Sequence, residues 1–138
     1  MRFRHGIMAA ALATASSLAS LANAAEGQLS VHVLDQQTGI PAAAVRVTLD
    51  VREQGAWHTV AHGTTDADGR IKELLPAGQL LAVGDYRVTF HTADYFSAHR
   101  TPTFFPEVPV VFQVEDATQH YHIPLLLSPF GFSTYRGS

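Results

Sequence analysis

The chain has 138 residues, 46% hydrophobic and 15% charged, which suits one compact domain and excludes a disordered or fibrous chain. Its formal net charge of −3 argues against nucleic acid as a partner. With no cysteine it has neither disulfides nor thiolate chemistry, so its stability must come from a core and from assembly.

Arg2, Arg4 and His5 precede an apolar, Ala-rich stretch from Gly6 to Leu21 that ends in Ala22-Asn23-Ala24. That order of basic, apolar and small residues reads as a secretory signal peptide over 1–24, cleaved before Ala25, and predicts a periplasmic or secreted domain over 25–138. Cleavage would remove two basic residues and no acid, making the domain more acidic still. No later segment reaches the ~20 apolar residues of a membrane span, so no membrane partner is expected.

Along the domain the leading signal is alternation with a period of two, the mark of strands with one buried face. Leu29, Val31 and Val33 alternate with Ser30, His32 and Leu34, while Val45, Val47, Leu49 and Val51 alternate with Arg46, Thr48 and Asp50. Asp35 to Pro41 between them has turn composition. Further strands are predicted at 56–63, 69–75, 86–90, 108–114 and 121–127, with a turn at Asp66-Ala67-Asp68-Gly69. Thr92 to His99 is the predicted helix, with Thr92 as its N-cap. Seven short strands predict an all-β sandwich.

The histidines carry the first chemical suggestion, because all but His5 of the eight lie in the domain. His32 alternates against the core face of its strand, and His120 and His122 share a face opposite Tyr121 and Ile123. If the strands bearing them are neighbours, His32 and His122 meet on an outer surface. Two other readings stay open: ordinary exposed strand histidines, or a zinc site formed by His32, His120 and His122. His58 and His62 have the i, i+4 spacing of a metalloprotease helix, but Thr59 replaces the glutamate and the segment reads as strand, so that match is dropped. Arg70, projecting beside the Asp66–Gly69 turn, could present two parallel donors to a carbonyl-rich or anionic ligand, or pair with Asp66 or Asp68. Ser138 sits in no nucleophile elbow. It ends a dense polar tail, Tyr135-Arg136-Gly137-Ser138, whose groups suit a held terminus rather than a frayed one.

Six blocks, in order, resemble the transthyretin-like 5-hydroxyisourate hydrolases: Ser30-Val31-His32-Val33-Leu34-Asp35 with Thr38-Gly39-Ile40-Pro41-Ala42; Thr65-Asp66-Ala67-Asp68-Gly69-Arg70; Gly84-Asp85-Tyr86-Arg87; Phe104-Phe105-Pro106-Glu107; Tyr121 to Ser128; and Tyr135 to Ser138. The resemblance spans essentially the whole predicted domain. It implies a two-sheet sandwich of seven to eight strands with one short helix, assembled as a homotetramer with sites in a channel lined by the outer faces of one sheet. It also implies a catalytic set of His32, Arg70, His122 and Ser138, substrate binding by His32, Arg70 and Tyr135, a tail supported by Arg136 and Gly137, and neither metal nor cofactor. The implied reaction is hydrolysis of 5-hydroxyisourate. The rival reading is a transthyretin-type protein that binds a small ligand or a metal without turnover.

Overall fold

The computed structural model describes residues 27–138, so the predicted leader and its cleavage point before Ala25 lie outside the described residues. In chain order these residues form β1 (Leu29–Asp35), β2 (Ile40–Pro41), β3 (Arg46–Glu53), β4 (Ala56–Thr64), β5 (Arg70–Ile71), β6 (Gly84–Phe90), α1 (Thr92–Ala98), β7 (Val108–Val114), β8 (Tyr121–Ser128) and β9 (Gly131–Thr134). One sheet runs β2-β1-β8-β9, with β5 also paired to β1, and the other runs β4-β3-β6-β7. The result is the all-β, two-sheet sandwich expected, with one short helix.

The alternation explains the layering. Leu29, Val31 and Val33 of β1 and Leu125 and Leu127 of β8 point inward, against Val47 and Leu49 of β3 and Val88 and Phe90 of β6, and all are buried. Their partners on the same strands face outward, which leaves one whole side of each sheet for other uses. β1 and β8 run parallel, in a register that sets Ser30 beside His122 and His32 beside Pro124. The other ladders within the two sheets are antiparallel.

Three expectations need correction. The strand predicted over 69–75 pairs only at Arg70 and Ile71, because Leu74 and Leu75 are both buried in succession and no alternation survives past β5. Thr92 does not cap the helix. His91 is the N-cap, without a side-chain bond, and the buried Thr92 Oγ1 donates instead to the Phe105 carbonyl at 2.7 Å, tying the helix to the loop before β7. The chain also does not finish at β8, since β9 returns as its hairpin partner, with Leu125 opposite Thr134.

A buried polar knot closes one end of β1. The Asp35 carboxylate accepts the Gln37 N–H at 2.9 Å on one oxygen and the Tyr95 hydroxyl at 2.7 Å on the other, so the turn after β1 and the helix share one anchor. Burial, reinforced by the bond to Asp35, pushes the Tyr95 phenol above its ordinary pKa. A phenol raised in the folded state contributes stability below the ordinary tyrosine pKa, and that contribution fades as pH rises toward the folded value. Tyr95→Phe, which strands a buried carboxylate oxygen, is expected to cost about 1–3 kcal/mol in urea unfolding at neutral pH. The gap to wild type should narrow in strongly alkaline solution; an equal gap at both ends would contradict the coupling.

Candidate active site

Cross-strand register builds the candidate site. His32 pairs with Arg70 on β5 and with Pro124 on β8, so Arg70, His32 and Pro124 form one row across the outer face of the sheet. Ser30 and His122 are direct neighbours in the next row. β9 runs antiparallel to β8 up to Thr134, and the tail keeps the same step, because the Gly137 N–H donates to the His122 carbonyl at 3.0 Å. That step sets Tyr135 opposite Pro124 and Gly137 opposite His122. The structure therefore brings His32, Arg70, His122 and the tail to one face of three strands, although they lie far apart in the chain.

The turn before β5 is what aims Arg70. Asp66 Oδ1 accepts the backbone N–H of Asp68 at 2.9 Å and of Arg70 at 3.0 Å, and the Asp66 N–H in turn donates to the Arg70 carbonyl at 2.8 Å. Gly69 has φ +72°, and a Cβ there would overlap the Val33 carbonyl oxygen, so only glycine lets the turn lie this close to β1. The Arg70 N–H bond, above all, lowers the Asp66 pKa from its ordinary value.

His122 is held from two sides. Its Nδ1 lies 2.7 Å from Ser30 Oγ, both groups being buried. On the other side Gly137 packs so closely that a Cβ would overlap the His122 ring. Arg136 points away from this row: its guanidinium lies 5.2 Å from the Tyr121 ring centre, and Nη2 donates to Gln119 Oε1 at 2.8 Å, which pins the tail from behind. Tyr135 and Ser138 are exposed in the single chain.

His120 lies beside the site. Its ring is nearly parallel to that of His122, with centres 6.5 Å apart. Its nitrogens meet the Gly27 carbonyl at 2.7 Å and Ser30 Oγ at 3.3 Å. Among the described residues, no three His, Cys, Asp or Glu side chains converge as a metal site would require. His58 and His62 are exposed on β4, in the other sheet. Reading the sequence alone missed Ser30 and the place of Pro124 beside His32, and it anticipated Asp66 as a partner of the Arg70 side chain where the bond is to the Arg70 backbone N–H. Alternation does put Ser30 on the His32 face, but only the β1–β8 register sets it against His122.

A small two-layer sandwich with imidazoles and a guanidinium on the outer face of one sheet defines a transthyretin-type protein. The family model described as HIUase/Transthyretin matches residues 29–137, and the chain belongs to that family. A 5-hydroxyisourate hydrolase of Salmonella typhi is 50% identical over 133 residues, covering 96% of this chain and 97% of that protein. Two solved structures superpose closely. Sea bream transthyretin in complex with thyroxine has a TM-score of 0.75 at 35% identity, over 80% of this chain and 94% of its own. Klebsiella pneumoniae 5-hydroxyisourate hydrolase has a TM-score of 0.70 at 36% identity, over 80% and 97%. Backbone similarity thus does not separate carrier from hydrolase, and the side chains must.

Because its pKa is lowered by the fold, Asp66 contributes stability above the ordinary aspartate range, and that contribution disappears as pH falls through the depressed folded value. Asp66→Ala is expected to lower Tm at neutral pH, with the difference from wild type shrinking below about pH 4. A pH-independent difference would assign the loss to something other than the charged carboxylate.

Proposed function

We propose that this chain hydrolyses 5-hydroxyisourate to 2-oxo-4-hydroxy-4-carboxy-5-ureidoimidazoline, a step of urate degradation. The observation that supports this most directly is the pairing of adjacent rows, Arg70 beside His32 and Ser30 beside His122, on a chain half identical to a curated hydrolase of that name. A ligand carrier on the same backbone would need neither row, nor a glycine packed against the His122 ring.

The reaction breaks one ring amide C–N bond. Water supplies the hydroxyl that ends on the carbonyl carbon, and its proton reaches the departing nitrogen. Such a step needs a placed water, a base and donors where negative charge gathers on the carbonyl oxygen. In this reading His32 and His122 hold and activate the water, and the planar Arg70 fork grips the carbonyl edge of the substrate. Tyr135 and Ser138 complete the pocket by hydrogen bonding, while Arg136 and Gly137 fix the path of the tail. No cofactor enters the scheme.

In this reading the rows lie on the outer side of a sheet, and other copies supply the remaining walls of a substrate chamber. Phe104 and Phe130 are each 72% exposed and Val111 60%, apolar side chains that contacts with other copies would cover. We infer a homotetramer, and from the N-terminal pattern an exported, periplasmic or secreted enzyme.

Freshly made 5-hydroxyisourate, followed by its ultraviolet decay, is expected to disappear faster with the chelator-treated protein than without it. His32→Ala, His122→Ala and Arg70→Ala should each remove about 10²–10⁴-fold of the acceleration. Wild-type turnover in any of the three would exclude that residue from the chemistry. Gly137→Ala should cost at least about tenfold in kcat by displacing the tail or the ring, with Tm nearly unchanged because the tail lies at the sheet edge. A chain that sediments as a monomer at working concentration would overturn the tetramer.

A further inference from the structure

Pro124 stands where a proline is least expected, in the interior of a sheet. β8 has β1 on one side and β9 on the other, so its successive residues direct their backbone polar groups to one neighbour and then the other. The Tyr121 N–H donates to the Gln28 carbonyl at 2.8 Å, on the β1 side, and the His122 carbonyl accepts the Gly137 N–H at 3.0 Å, on the tail side. Two residues on from His122, Pro124 therefore faces the tail, and continuing the β8–β9 register sets Tyr135 opposite it. An antiparallel pair at such a position exchanges two backbone bonds. Proline has no N–H to give the Tyr135 carbonyl. Its own carbonyl is engaged as well, because Thr134 Oγ1 donates to it at 2.8 Å. Both halves of the exchange are thus cancelled, and among the described residues Tyr135 makes no backbone–backbone hydrogen bond. β9 accordingly ends at Thr134, and the tail rejoins the sheet at Gly137.

We propose that Pro124 and Thr134 are positioning residues, which hold Tyr135 off the ladder so that its backbone N–H and carbonyl serve the substrate instead of the sheet. Tyr135 is 60% exposed, and it continues the row of Arg70, His32 and Pro124. A donor and an acceptor on one residue suit a flat ring with an N–H and a carbonyl on one edge, the chemistry of a cyclic amide or imide. An ordinary residue at 124 would have used both groups within the protein. The opening gives up two ladder bonds in every folded molecule, a loss for which a purely structural strand has no use. That the ring is 5-hydroxyisourate rests on the hydrolase reading; the open ladder does not.

The test closes the ladder. Pro124→Ala supplies the missing donor and Thr134→Val frees the carbonyl, so the double variant of the full chain should zip Tyr135 to β8. Amide exchange followed by NMR is expected to show the Tyr135 N–H at least about tenfold slower in the double variant than in wild type, with the amide introduced at 124 also protected. KM for 5-hydroxyisourate should rise about tenfold, the worth of one or two such bonds, with kcat changed less than about threefold. A merely structural role would instead lower Tm and leave KM alone. Thr134→Val by itself, nearly isosteric with wild type, should move both readouts in the same direction by a smaller amount. Thr134→Ser, which keeps the hydroxyl, should match wild type in both. Unchanged exchange at Tyr135 in the folded variants, or a closed ladder with wild-type KM, would overturn the proposal. Wild-type protein without turnover would sink the hydrolase reading alone, because amide exchange would still decide whether these residues keep the ladder open.

Discussion

The parallel pairing of β1 with β8 is the constraint on which the rest depends. It is the contact by which the two ends of the described chain become neighbours, and its register decides which outward residues meet. Because side chains alternate across a strand, a slip of one residue would turn Ser30 and His32 into the core and expose Leu29, Val31 and Val33. The energy of core burial therefore holds the polar face in register. Leu29, Val31, Val33, Leu125 and Leu127 are all essentially inaccessible. Apolar contacts inside the sandwich thus set the geometry of imidazoles outside it.

Most of the parts that were legible in the sequence are those where one face is buried along a whole strand; β4, predicted over 56–63 and found over Ala56–Thr64, was legible although Ala61 is its one buried residue. β1, β3, β6, β7 and β8 lie close to their predicted places for that reason. β9 was not legible, because Gly131 to Thr134 is exposed along most of its length and its order comes from hairpin pairing with β8, not from alternating burial. β5 was over-read because Leu74 and Leu75 look like strand residues but join the core without strand pairing. Thr92 has the right residue type for a cap, yet its hydroxyl finds a better-placed acceptor in the Phe105 carbonyl. Local pattern cannot anticipate a partner supplied from elsewhere in the chain.

The candidate site divides along the same line. His32 and His122 could be placed on outward faces from alternation, and Arg70 beside its turn, but their grouping came from resemblance to a family. Ser30 had no signal of its own, being a small polar residue on an outward position, where thousands of serines are merely solvated. What distinguishes it is burial under two imidazoles, and that follows from register across strands most of the chain apart. The glycines tell a related story. Gly69 and Gly137 are both places where a Cβ would collide with an element of the site, the first with β1 and the second with the His122 ring. Each lets a backbone pass close enough to present its neighbour.

The near-equal superposition on a thyroxine-bound transthyretin and on a hydroxyisourate hydrolase follows from this division. The inner faces of the two sheets contain the apolar core and specify the fold; the outer face of the β1–β8 sheet carries polar groups, Ser30 and His122, that are buried by their neighbours but lie outside that core. Side chains there can change without loss of the packing that defines the backbone, so one sandwich can support either a binding surface or a reactive one. A reactive surface adds a demand that a binding surface does not have, namely that each imidazole present a defined nitrogen. Strand pairing alone does not supply that, since it fixes the backbone and not the rotation of a ring. Here the His122 ring is held by its contact with Ser30 Oγ on one side and by a tail pressed against it through a glycine on the other. Orientation of that ring thus comes from a hydroxyl placed by strand register on one side and from close backbone packing on the other.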